Sequence, residues 1–219
     1  MSIATRLFKP TIVDLIFGPN WAASVIYVVA GAGLTALAAQ FVIPLYPVPI
    51  TGQTLAVMIV GLSLGATRAA LAMVLYAVLG ALGLPVFSDA GGGLDVLTGT
   101  GGGYIIGYIV GAWLMGALAE RRWDRTFWKT TAAAALGAAA IYAMGLLGLA
   151  RALSSLGREY TLPDLVDIGV TPFLVGAAIK VVLAATLLSY AWRKALQHDS
   201  RAAEPNQQVP ESARRRNLR

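Results

Sequence analysis

Few side chains in this sequence can do chemistry, and Lys180 stands apart, set between the uncharged runs Gly169–Ile179 and Val181–Trp192. A cation held in lipid costs roughly 2.5–3.5 kcal/mol on insertion scales, so such a residue points to binding or transport. Pro172 to Lys180 spans roughly 12 Å of helix, which predicts an ammonium below the outer surface. Phe173, Ala177, Lys180 and Ala184 share its helical face by spacing. The competing reading is a lysine that snorkels to the interface on its long apolar stem.

Catalysis asks for groups that this sequence does not assemble. A serine hydrolase needs a base beside its nucleophile, a zinc hydrolase needs paired histidines, and an intramembrane protease needs a polar dyad within its helices. The chain has no cysteine and one histidine, His198, in a polar tail. No catalytic residue, metal site or cofactor site is therefore expected. Gly99–Gly103 is glycine-rich, but Tyr104 follows where a phosphate-binding loop would carry lysine and then serine or threonine. Any ATP hydrolysis belongs to another chain.

Two loops carry the remaining polar signal. In Pro47-Val48-Pro49-Ile50-Thr51-Gly52-Gln53-Thr54 the prolines stiffen an extended segment that delivers Thr51 and Gln53, a hydroxyl and an amide, to a polar solute. Thr51 or Thr54 also suits a helix cap. The second loop runs from Leu84 through Phe87, Ser88, Asp89, Gly91, Gly92, Gly93 and Asp95 to Gly99–Tyr104. Glycine lets backbone approach a ligand, so this loop suits a lid, with Phe87 and Tyr104 as apolar walls; a plain linker is the bland alternative.

The elements that position these residues must cross a membrane. Hydrophobic residues make up 57% and charged ones only 13%, against about 25% charged in a soluble domain. Charge-free runs and the Pro44, Pro47 and Pro49 break predict spans near 22–43, 54–66, 69–84, 103–119, 130–150 and 171–192, the second short for a full crossing. The expectation is an all-α membrane protein, a bundle of six transmembrane helices; five is the other count.

With a cytoplasmic N-terminus, 14 of the 17 Lys and Arg residues fall inside and only Arg151 and Arg158 outside, Lys180 being the last. The positive-inside rule then puts both termini in the cytoplasm. The +6 net charge is a topology signal, not a nucleic-acid surface. Residues 1–20 predict a short interfacial segment and no cleaved signal peptide, since Asp14 interrupts a brief apolar stretch. Residues 21–192 form the membrane domain, and 193–219, with Pro205, Pro210 and Arg214–Arg216, predict a disordered basic tail that touches anionic lipid.

Small residues recur at helical spacing. Gly103, Gly107 and Gly111 allow close helix packing within the bundle, and Ala32 and Ala36 could form an outward groove for a partner protein.

Taken together, Pro47–Leu55, Gly83–Phe87 with its glycine string, Gly102-Gly103-Tyr104, and Thr171–Leu174 with Lys180 resemble the BioY family. These are biotin-specific substrate-binding (S) components of energy-coupling factor (ECF) transporters, and the likeness covers about residues 20–192. The resemblance implies a six-helix protein of the cell membrane that captures biotin from outside. A transmembrane coupling subunit and two cytoplasmic ATPases would power uptake, with Ala32 and Ala36 similar to the small-residue motif that docks on the coupling subunit. The implied biotin contacts are Lys180, Gln53 and Thr51, the aromatic walls Phe87, Tyr104 and Phe173, and Gly92, Gly93 and Gly102 in the lid.

The chain departs from the family pattern in places. A carboxylate usually stands three residues before the lysine, where this chain has Ala177, and the usual G-P-T-G-G-Y reads Gly99-Thr100-Gly101-Gly102-Gly103-Tyr104. A buried ammonium needs an acceptor, so Asp95, then Asp89, or biotin itself is expected to supply one. The other readings are an S component for another small vitamin, a membrane enzyme acting on lipid, and an assembly factor.

Overall fold

The computed structural model describes residues 11–17 and 20–203. A short helix α1 (Ile12–Phe17) precedes α2 (Trp21–Ala39), a two-residue hairpin β1 (Val42–Ile43) and β2 (Ile50–Thr51), α3 (Gln53–Leu64) and α4 (Ala66–Ala81). Then come α5 (Leu94–Thr98), α6 (Gly102–Glu120), α7 (Phe127–Ser155), α8 (Leu162–Gly169) and α9 (Leu174–Ala203). Among the described residues α2, α6, α7 and the stretch Leu162–Gln197 are long and apolar enough to cross a membrane. The helices α3 and α4 are apolar but shorter.

Helix α6 is the hub, packed on α3, α4 and α7. Its glycine stripe makes this possible. A Cβ on Gly103 would lie 2.7 Å from the Gly148 Cα, on Gly107 2.8 Å from the Ile141 carbonyl, and on Gly111 2.6 Å from the Ile141 side chain. Only hydrogen at these positions lets α6 and α7 touch backbone to backbone, as expected for glycines spaced four apart. Ala32 turns the other way from the reading of an outward groove. It is 3% exposed and part of the core, with Ala36 half-buried against it.

The proline run ends α2 at Ala39, earlier than expected, because the chain turns into the hairpin, with Val42 opposite Thr51 and Ile43 opposite Ile50. One glycine, Gly65 at φ +80, joins α3 to α4. No loop stands here: Arg68 lies in the first turn of α4, only 2% exposed, and its guanidinium meets both carboxylate oxygens of Asp14 at 2.8 and 2.6 Å. Arg68 falls between the predicted spans 54–66 and 69–84, among the positive charges assigned to the inner side. Burial alone would push the Asp14 carboxyl up, but hydrogen bonds from Arg68 and Thr11 outweigh it and hold the group below its ordinary range. Glu120 closes the same corner, accepting the Ala66 N–H at 2.9 Å.

Beyond Trp192 the chain stays helical to Ala203, where a disordered tail was expected, since Arg, Lys, Ala, Leu and Gln all favour helix. The Arg214–Arg216 run and the stretch before Thr11 lie outside the described residues.

Candidate functional site

Two elements distant in sequence meet at Lys180. The lysine projects from α9 and donates to the Thr51 carbonyl of β2 at 2.6 Å and to the Thr54 hydroxyl of α3 at 2.8 Å. Its ammonium thus faces the bundle. Asp95 and Asp89 are both exposed, and the one ion pair among the described residues is Arg68–Asp14. The expected pairing of Lys180 with either aspartate is not formed; two neutral threonine oxygens take that place.

Lys180 lines a cleft of about 70 Å³ bordered by the hairpin, the loop around Ser88 and Val96, α6, α7 and the Thr171–Phe173 turn. Three aromatic rings stand together in its wall: Tyr104 to Tyr142 at 6.4 Å between centroids, Tyr104 to Phe173 at 6.2 Å and Tyr142 to Phe173 at 6.1 Å. The Tyr104 hydroxyl donates to the Gly169 carbonyl at 2.6 Å, so α8 fixes the ring. That carbonyl is positioned in turn by the capping box of Thr161 and Asp164 that starts α8.

Gln53, 5% exposed, opens α3 and lines the same cleft. Its amide donates to the Tyr76 hydroxyl at 2.5 Å and accepts from Thr51 at 2.7 Å and from Tyr108 at 3.1 Å. The residue knits β2, α3, α4 and α6 together.

The roof is an organised loop pair. Thr100 donates to the Pro47 carbonyl at 2.8 Å, joining the glycine loop to the proline loop. Gln40, at the end of α2, donates to the Phe87 carbonyl and accepts the Ala90 N–H, each at 3.1 Å. Phe87 is no wall of the cleft: at 1% exposure it packs edge-on to Tyr76 at 5.4 Å and fills the space left by Gly80. The glycines Gly92, Gly93 and Gly102 lie outside the lining and serve the loop itself. Gly93 takes φ +103 and its N–H donates to the Gly80 carbonyl at 2.7 Å, while a Cβ on Gly102 would collide with Leu97.

Of the anticipated contacts, Lys180, Gln53, Thr51, Tyr104 and Phe173 converge on the cleft. Tyr108, Tyr142 and the role of Thr54 as lysine acceptor were missed. Tyr104 and Tyr108 stand four apart beside the glycine stripe of α6, a spacing that already places two hydroxyl-bearing rings on one helical face.

The model of the BioY family matches residues 9–197. The chain belongs to the BioY family. A BioY relative from Thermotoga maritima, the biotin transporter BioY, is 36% identical over 154 residues, covering 70% of this chain and 86% of that one. The biotin transporter BioY2 of Lactococcus lactis subsp. cremoris is 30% identical over 178 residues, covering 81% and 94%. Among solved structures, the S-component for biotin from an ECF-type ABC transporter aligns with a TM-score of 0.68 at 22% identity. It covers 77% of this chain and 90% of its own, so the BioY chain here has the same fold.

Proposed function

We propose that this protein binds biotin from the outer side of the cell membrane and carries it inward as the S component of an ECF-type transporter. Membership of the BioY family supports this. The observation that carries it is the Lys180 ammonium lining a cleft walled by Tyr104, Tyr142 and Phe173 and roofed by two linked loops. Biotin offers an apolar bicyclic ring to the aromatic walls and a carboxylate to a cation.

The six-span topology has α2, α3, α4, α6, α7 and α9 crossing, with both termini cytoplasmic; the lopsided distribution of Lys and Arg supports that orientation. Helices α3 and α4 are short for a 30 Å core and are joined by the single residue Gly65. Translocation needs no bond-making by this chain. Its energy comes from a coupling membrane subunit with two ATPases. The cleft is smaller than the roughly 300 Å³ typical of small-molecule sites, so it widens to admit biotin.

Biotin binding to the purified chain, intact and as Lys180→Ala, tests the proposal. The intact protein binds biotin, and the variant loses about tenfold or more, the worth of one good charged contact. No binding by the intact chain overturns the function; a loss below about threefold makes the lysine structural.

A further inference from the structure

The roof of the cleft contains a local conflict. Asp89 and Ala90, side by side, both take left-handed backbone, at φ +55 and +54. Aspartate tolerates that region because its short polar side chain can bond locally, but an alanine Cβ there crowds the following carbonyl, which glycine escapes. Such a turn persists only where its surroundings hold it. One exposed side chain at the end of α2 does so. The Gln40 amide donates to the Ala36 carbonyl of its own helix at 3.0 Å and to the Phe87 carbonyl at 3.1 Å, and it accepts the Ala90 N–H at 3.1 Å. It thus clamps the loop on either side of Asp89. The clamped segment is fixed at its ends, since Phe87 is buried in the core and the Gly93 N–H donates to the Gly80 carbonyl at 2.7 Å. Ser88, within that segment, lines the cleft, whereas Gln40 lies outside the lining.

Resting on the biotin reading, we infer that Gln40 is a latch: it holds the Ser88–Gly92 segment of the roof shut against the backbone strain at Ala90, and so sets how fast ligand enters and leaves without touching it. A latch acts on the balance between shut and open roof, and ligand passes in both directions through the open form. Both rate constants therefore scale with the open fraction. Their ratio, the Kd, stays nearly fixed. A residue that contacts ligand behaves differently, because its loss speeds exit and leaves entry alone.

The test uses the full-length protein in nanodiscs with radiolabelled biotin, following association directly and dissociation by chase with unlabelled biotin. In Gln40→Leu both rate constants rise about tenfold while Kd moves less than about threefold, as expected when the roof loses two hydrogen bonds that hold it shut. Ala90→Gly removes the strain, so both rates slow by about threefold or more, and the double variant returns to within about threefold of the intact protein. That rescue separates a latch from general damage to the loop. Unchanged rates in Gln40→Leu overturn the latch and leave the biotin reading standing, as does faster dissociation with association unaltered; no binding by the intact protein overturns both. Should Gln40→Leu fail to fold, Ala90→Gly alone decides: slower exchange at nearly constant Kd upholds the latch, and unaltered exchange refutes it.

Discussion

A lysine satisfied by threonine oxygens divides the labour between neighbouring polar residues. Thr51 and Thr54 hold the ammonium in place, whereas Gln53 is spent on the tyrosines Tyr76 and Tyr108. Gln53→Leu therefore acts on stability: two buried hydroxyls lose their partner at about 1–3 kcal/mol each. Its thermal midpoint in detergent falls, and a variant that keeps its midpoint but loses biotin would move the amide from the scaffold to the ligand. Thr54→Val removes one acceptor of the ammonium and weakens biotin binding by about three- to tenfold by loosening the lysine's aim, with the midpoint little changed. Lys180 was legible in the sequence because a lone charge in an apolar span has few other reasons to exist. Phe87 was misplaced because an aromatic beside a glycine string looks the same whether its ring faces a cavity or, as here, fills the gap at Gly80.

At the scale of elements, the α6–α7 seam depends on missing side chains. Gly107→Ala puts a methyl 2.8 Å from the Ile141 carbonyl, a backbone atom that cannot yield without moving α7. It costs about 1–3 kcal/mol by overpacking. Gly33→Ala on α2, with nothing within 4 Å, is the control and holds or raises the midpoint. The turn between these two helices carries Asp124, 1% exposed, which accepts the Trp192 indole N–H of α9 at 2.5 Å, with Arg125 stacked 4.3 Å over that ring. Burial pushes the Asp124 carboxyl up to about 6, against the lowering effect of the indole bond. The native state thus prefers the protonated form. Asp124 costs nothing below the unfolded value near 4 and progressively destabilises as pH rises to about 6, after which the penalty is constant. Asp124→Asn keeps an oxygen for Trp192, so its midpoint gains on the intact protein between pH 4 and 6; parallel curves across that window would refute the burial argument.

For the whole molecule, the Asp14–Arg68 pair ties α1 to the corner where α3, α4 and α6 meet. Removing one partner leaves the other charge buried, so Arg68→Leu destabilises by about 3–5 kcal/mol, while replacing both residues with apolar ones is far milder. Thermal midpoints of the two variants separate these outcomes, and equal losses would show that the pair is no unit. The carboxyl of Asp14 is held low, so its contribution is complete above the unfolded pKa and fades as pH falls through the native one, the opposite sense to Asp124.

Helix positions, the glycine seam and the lone cation followed from sequence because each rests on a local rule: apolar length, four-residue spacing, and the cost of charge in lipid. Which oxygens receive the Lys180 ammonium did not follow. That choice joins residues more than a hundred positions apart, and so do the inward turn of Ala32 and the burial of Arg68 depend on how helices rotate against one another. Rotation about a helix axis is set by the summed packing of all its neighbours, a quantity that no single segment contains.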